Sequence, residues 1–157
     1  MENEEKIEKT KEFLADVVSK MKIGNTSVST GMEGDRVVYT IDCDDEEGIQ
    51  RVIGRKGQVL DSLQHLVNKH ILKGNGKERG PRIVVDAGGY RAKHVERLQG
   101  LADKMAKEAE ETGNKVHLDP MSSFDRRIVH MALAEREGVT TESEGSGKGR
   151  HLVIIPG

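Results

Sequence analysis

The chain has 157 residues, 34% hydrophobic and 33% charged, and only four aromatics: Phe13, Tyr39, Tyr90 and Phe124. That length holds one domain or two small ones. It contains no stretch of the roughly 20 apolar residues a membrane helix needs, and the acidic start MENEEKIEKTKE lacks the apolar core of a signal peptide. The single cysteine, Cys43, excludes an internal disulfide and a paired-cysteine zinc site, which fits a reducing cytosol. With so few rings and no Trp, a sheet that reads bases on rows of aromatics is also excluded.

The formal net charge of −2 conceals a segregation: residues 1–50 sum to −7, residues 51–98 to +7 and residues 99–157 to −2. A concentrated basic segment in a near-neutral chain is a local electrostatic footprint for a polyanion, or else a solvated face beside acidic neighbours.

In chain order, Ile7, Leu14, Val17, Val18 and Met21 recur at helical spacing, predicting an amphipathic helix over 6–22 that ends near Gly24. TSVSTGMEGDRVVYTIDC predicts a β-hairpin turning at Glu33-Gly34-Asp35. DDEEGIQRVIG predicts a short helix with an acidic first turn suited to the helix dipole. A longer helix over 57–73 carries Val59, Leu60, Leu63, Leu66, Val67, His70 and Ile71 on one stripe. GNGKERGP reads as a loop and RIVVD, residues 82–86, as a buried strand. Gly88-Gly89 marks a domain boundary, giving α-β-β-α-α-β over 6–87 and a second domain over 88–157. The latter reads α-β-α-β-β: a helix over 90–112 with Val95, Leu98, Leu101, Ala102, Met105 and Ala109 on one face, a KVHLD strand, and a helix over 122–136 whose Ser122 and Asp125 are spaced as a capping box. Two strands, VTTESEG and RHLVIIP, follow around a Gly/Ser turn.

The most informative string is Gly54-Arg55-Lys56-Gly57, between the two predicted helices of the first domain. Missing side chains at the glycines would admit a nucleic-acid backbone, free amides at the next helix start would attract phosphate, and Arg55 and Lys56 would aim cations at the same oxygens. With the flanking element order, residues 6–86 resemble a type II KH domain with GRKG as its GxxG loop. Such a domain holds about four nucleotides of single-stranded RNA or DNA in a groove. Here the resemblance implies an apolar wall of Ile53, Val59 and Leu60, backed by the hairpin and RIVVD.

Arg126 and His130, at i and i+4, share a helix face beside Arg127. Together with Thr141, Ser143, Gly145, Lys148 and Arg150 ahead of a VIIP strand, they resemble the R-3-H domain, named for an arginine and a histidine separated by three residues. In that family the pair belongs to a surface for single-stranded nucleic acid; otherwise Arg126 pairs with a carboxylate and His130 packs against the last strands. Phe124, two residues before Arg126, is expected on a different face and in the core.

A type II KH domain followed by an R-3-H domain resembles the bacterial Jag (SpoIIIJ-associated, KhpB/EloR) family, carried by GRKG, PMSSFDRRIVH and TTESEG…RHLVIIP. Members usually have an N-terminal Jag domain and linker ahead of the KH domain, and these 157 residues are expected to be a short member or part of a longer one. The resemblance implies an α+β, cytoplasmic, single-stranded RNA-binding protein that regulates cell-envelope growth and division post-transcriptionally, with a small KH-only partner protein or a homodimer. The alternative is an adaptor that dimerises through its KH helices, with incidental nucleic-acid contacts.

No enzymatic chemistry, metal or cofactor is expected. GSGKG and GNGK lack the spacing of a phosphate-binding loop, His65 and His70 are five apart, a poor ligand spacing on a helix, and the DDEE run reads as a helix start.

Overall fold

The computed structural model describes residues 2–72 and 82–157, so the predicted GNGKERGP loop lies outside the described residues. The chain divides into two compact units, residues 1–91 and 92–157.

In the first unit, helix α1 (Glu2–Lys20) buries Thr10, Leu14 and Val18, spaced by four, against the sheet. Lys22 at φ 55° and Gly24 at φ 138° then turn the chain into strand β1 (Thr26–Glu33). Strand β2 (Arg36–Cys43) pairs antiparallel with β1, from Thr26↔Cys43 to Glu33↔Arg36. Gly34, at φ 61°, occupies the first central position of this two-residue turn, where a II′ hairpin requires positive φ. Along β2 the alternate residues Val37, Tyr39 and Ile41 are buried, the period of a strand with one covered face. Burial raises the Tyr39 phenol above its ordinary pKa, and its O–H donates to the Ile7 carbonyl at 3.1 Å.

Helices α2 (Glu46–Ile53) and α3 (Gln58–Leu72) make the crossover to strand β3 (Arg82–Ala87), which lies parallel to β2. The sheet order is β1-β2-β3, and the α-β-β-α-α-β order stands as read from the sequence. Leu60, Leu63 and Val67 are the buried stripe of α3. Two members of the predicted stripe lie outside the core: Leu66 is 46% exposed, and His70 stacks on Phe13 with ring centroids 4.0 Å apart.

Helix α4 (Tyr90–Thr112) begins in the first unit, and from Ala92 onward it belongs to the second. There it buries Leu98, Ala102, Ala106 and Ala109; small alanines let neighbouring elements approach closely. Strand β4 is only Val116–His117, because Pro120, without an N–H, ends the ladder soon after Leu118 donates to Leu152. Helix α5 (Ser123–Leu133) is shorter than predicted, and Arg136 turns back to Glu110 at 2.9 and 3.2 Å. Strands β5 (Val139–Glu144) and β6 (His151–Pro156) complete an antiparallel sheet of order β4-β6-β5. Leu152 and Ile154 on β6 meet Val129 and Leu133 of α5 in the core.

The capping box is half realised. Ser122 Oγ accepts from the Asp125 N–H at 3.2 Å, but the Asp125 carboxylate lies 3.0 Å from His94 Nε2 of α4 instead of reaching back to the cap.

Candidate nucleic-acid interface

Asp45 caps α2 by accepting the Gly48 N–H at 2.7 Å, so the DDEE run does act as a helix start. Gly54 ends α2, at φ 73°, donating its N–H to the Gln50 carbonyl at 2.8 Å. A single 3-10 turn, Arg55–Gly57, then leads into α3 with Lys56 in the left-handed region at φ 54°. That conformation costs a non-glycine residue about 1–3 kcal/mol and thrusts the basic pair outward. Arg55 and Lys56 are exposed, and among the described residues neither forms an ion pair.

The glycines serve a different purpose from the one expected. A Cβ on Gly54 would stand 2.4 Å from Val59 Cγ2, and one on Gly57 2.7 Å from the Tyr90 ring. Both have positive φ, so the fold itself demands glycine, to seat the turn on Val59 and Tyr90. The amides are likewise engaged internally: Gly57 N–H donates to Gly54 at 3.2 Å and Gln58 N–H to Arg55. What the turn offers a ligand is therefore its two cations.

The predicted apolar wall is mostly core. Leu60 is fully buried and Ile53 is 6% exposed; Val59 alone is half-buried. The outer edge of β3 is closed as well. Gln64 donates to the Ile83 carbonyl at 3.0 Å and accepts the Val85 N–H at 2.7 Å. Arg91 Nε donates to the Val85 carbonyl at 2.9 Å, and Asp86 accepts the Ala87 N–H at 2.8 Å. Side chains thus take the backbone groups that an edge would present, which also blunts it against pairing with another strand. Gln64, Tyr90 and Arg91 were not singled out in the sequence: the partners of Gln64 and Tyr90 lie far along the chain, and Arg91 reaches back to Val85 only through its side-chain direction.

In the second unit, Arg126 is half-buried and braces the entry to α5, its Nη1 donating to the Met121 carbonyl at 2.6 Å. It pairs with a carbonyl, not a carboxylate. His130 is exposed and shares a hydrogen between Nδ1 and Thr141 Oγ1 on β5. Arg150 Nε donates to Ser143 Oγ at 2.8 Å and its Nη1 to the Gly145 carbonyl at 3.2 Å, closing the β5–β6 turn. Lys148, in that turn, is exposed. Thr141 and Ser143, two apart, stand on one face of β5, which brings the His130–Thr141 and Arg150–Ser143 contacts side by side.

Phe124 corrects an expectation: it is on a different face from Arg126, but 64% exposed rather than in the core. With Val95, Arg127, Ile128 and Met131 it lines a shallow groove of about 330 Å³. Arg127 is exposed, and Met131 is 63% exposed. The spacing 124, 127, 128, 131 was readable as one helix face, and burial alone revealed that it looks outward.

Two family models match the chain: the KhpA/KhpB KH domain over residues 10–83 and the R-3-H domain over residues 96–156. The first domain thus belongs to the KhpA/KhpB type of KH domain and the second to the R-3-H family. Among curated relatives, a protein named RNA-binding protein KhpB in Clostridium symbiosum is 38% identical over 110 residues, 70% of this chain and 48% of its own length. One of the same name in Bacillus subtilis is 36% identical over 105 residues, 66% of this chain and 50% of its own length. One in Lactiplantibacillus plantarum is 36% identical over 103 residues, 66% of this chain and 31% of its own length. The aligned region spans half or less of these relatives.

Proposed function

We propose that the chain binds single-stranded RNA without catalysing a reaction, and that the Arg55–Lys56 turn clamps the phosphodiester backbone. The observation that carries this reading is an exposed turn, packed on Val59 and Tyr90, bearing two cations that have no counter-ion among the described residues, in a KH domain. Phosphate contacts supply affinity and position a strand, while bases supply choice. In the R-3-H domain, Arg127 beside the exposed Phe124 ring supplies a cation and a stacking surface, and His130, Lys148 and Arg150 supply further phosphate contacts. Single-stranded DNA is a further ligand of the same surfaces.

The relatives' names support RNA as the ligand. The resemblance extends the reading to a cytoplasmic regulator of cell-envelope growth and division that acts with a small KH-only protein or as a homodimer. Among the described residues no helix is long and apolar enough to cross a membrane. The adaptor reading has one observation in its favour, the exposure of Leu66 on α3.

Binding of a labelled single strand and of its annealed duplex across a salt series separates these readings. The RNA reading expects the single strand to bind more tightly, because a duplex hides its base edges and A-form RNA offers no readable deep groove. Salt should weaken that binding steeply. An adaptor would show little affinity for either and a concentration-dependent mass.

A further inference from the structure

Three strands of the R-3-H domain bring two imidazoles and a carboxylate to one point. Glu144 and His151 are directly paired across β5 and β6. His117 pairs with Val153, two residues beyond His151, so all three side chains stand on the same sheet face. That face is opposite the one on which Leu152 and Ile154 meet the core, and opposite Thr141 and Ser143. One ligand atom from each residue lies within 4.8 Å of the others.

The two rings are already arranged for a shared ion. His117 Nδ1 is 3.1 Å from His151 Nε2. Two imidazole nitrogens, each about 2.0–2.1 Å from a tetrahedral Zn²⁺, would be roughly 3.3 Å apart. His151 Nδ1 lies 3.0 Å from the Gly149 carbonyl, an oxygen that can only accept. That nitrogen therefore carries the ring hydrogen, and Nε2 turns its lone pair toward His117. A backbone carbonyl that fixes the tautomer in this way is the usual outer support of a metal-binding histidine. Without an ion, the pair is held by the hydrogen on His117 Nδ1; with one, that hydrogen moves to Nε2 and both lone pairs face the metal.

We propose that His117, Glu144 and His151 form a binding site for a divalent transition-metal ion of the Zn²⁺ class, with the fourth position open to water. Two imidazoles and a carboxylate suit Zn²⁺ better than Mg²⁺ or Ca²⁺, which prefer oxygen ligands. The bound ion would staple the two-residue edge strand β4 to its neighbour β6 and, beyond it, to β5. None of its three ligands is among the residues assigned to RNA, although His151 directly follows Arg150, and its failure would leave that assignment untouched.

The test uses the tag-free full chain stripped with a chelator, titrated with Zn²⁺ by calorimetry and with Co²⁺ by visible absorption, alongside His117→Ala, Glu144→Gln and His65→Ala. The expected result is one equivalent of saturable Zn²⁺, intense tetrahedral Co²⁺ bands, and a thermal midpoint that rises with Zn²⁺. Loss of even an outer partner weakens metal sites roughly 10–100-fold, so His117→Ala and Glu144→Gln should each weaken binding at least about tenfold, and His65→Ala should not. If His117→Ala fails to fold, Glu144→Gln decides. Absence of saturable binding, or binding unchanged in the decisive variant, would overturn the site.

Discussion

The basic turn of the KH domain and the arginine–histidine face of the R-3-H domain hold their cations in opposite ways. In the turn, the backbone is fixed by packing, with Gly54 against Val59 and Gly57 against Tyr90, and the cations are left exposed. On the arginine–histidine face, Arg126 and Arg150 hold backbone carbonyls at 2.6 and 3.2 Å, so the same side chains brace the fold. Function and stability should therefore separate in the first region and remain entangled in the second.

The largest expected effect comes from the backbone of the turn. Gly57→Ala combines a left-handed residue, about 1–2 kcal/mol, with overpacking against Tyr90, typically about 1–3 kcal/mol. Chemical denaturation should show a loss of roughly 2–4 kcal/mol, within the sum of those two costs. A variant as stable as the parent would mean that the turn is not seated on Tyr90. Gln64→Ala comes next. Freeing the Val85 N–H and the Ile83 carbonyl should cost about 1–3 kcal/mol, with faster amide exchange at Val85. Unchanged exchange there would show that solvent or another group closes that edge.

In the second domain two substitutions sharpen the contrast. Phe124→Ala should weaken RNA binding by about 1–3 kcal/mol through lost stacking, with stability within about 0.5 kcal/mol because the ring is exposed. Arg126→Ala should lower stability by about 1 kcal/mol, the worth of a hydrogen bond. If its remaining charge meets a phosphate, the slope of log affinity against log salt should also flatten by about 0.7. A drop in stability with no change in slope would make Arg126 a brace alone, while unaltered affinity in Phe124→Ala would leave the face purely electrostatic.

Much of this was legible in the sequence. Leu14 and Val18 of the α1 stripe, the hairpin at Gly34 and the α-β-β-α-α-β order follow from periodicity and turn chemistry, which are local, whereas Met21 lies past the end of the helix and is exposed. The exposure of the basic turn and the contacts of His130 with Thr141 and of Arg150 with Ser143 fit the spacing read in the sequence. What was hidden is tertiary. Leu60 and Ile53 look like a groove wall in sequence because apolar residues beside a loop carry no label for inside or outside. Phe124 looks like core for the same reason, as aromatics are usually buried. Gln64 closes the edge of β3 from 19 residues away in sequence, and Arg91, six residues from Val85, does so by a side-chain direction that spacing does not reveal. His117 and His151 meet only through strand register, which a one-residue slip would undo.

The central claim is that Arg55 and Lys56 bind RNA without holding the fold together. The direct measurement is the affinity of Arg55→Asp/Lys56→Asp for a labelled single-stranded RNA, taken with its thermal midpoint. Both side chains are exposed and without ion-pair partners among the described residues, so the midpoint should stay near that of the parent. Two anions in place of two cations turn attraction into repulsion, so binding should disappear. Affinity equal to the parent's would remove the turn from the interface, and a collapsed midpoint would show that its side chains, and not its glycines alone, support the fold.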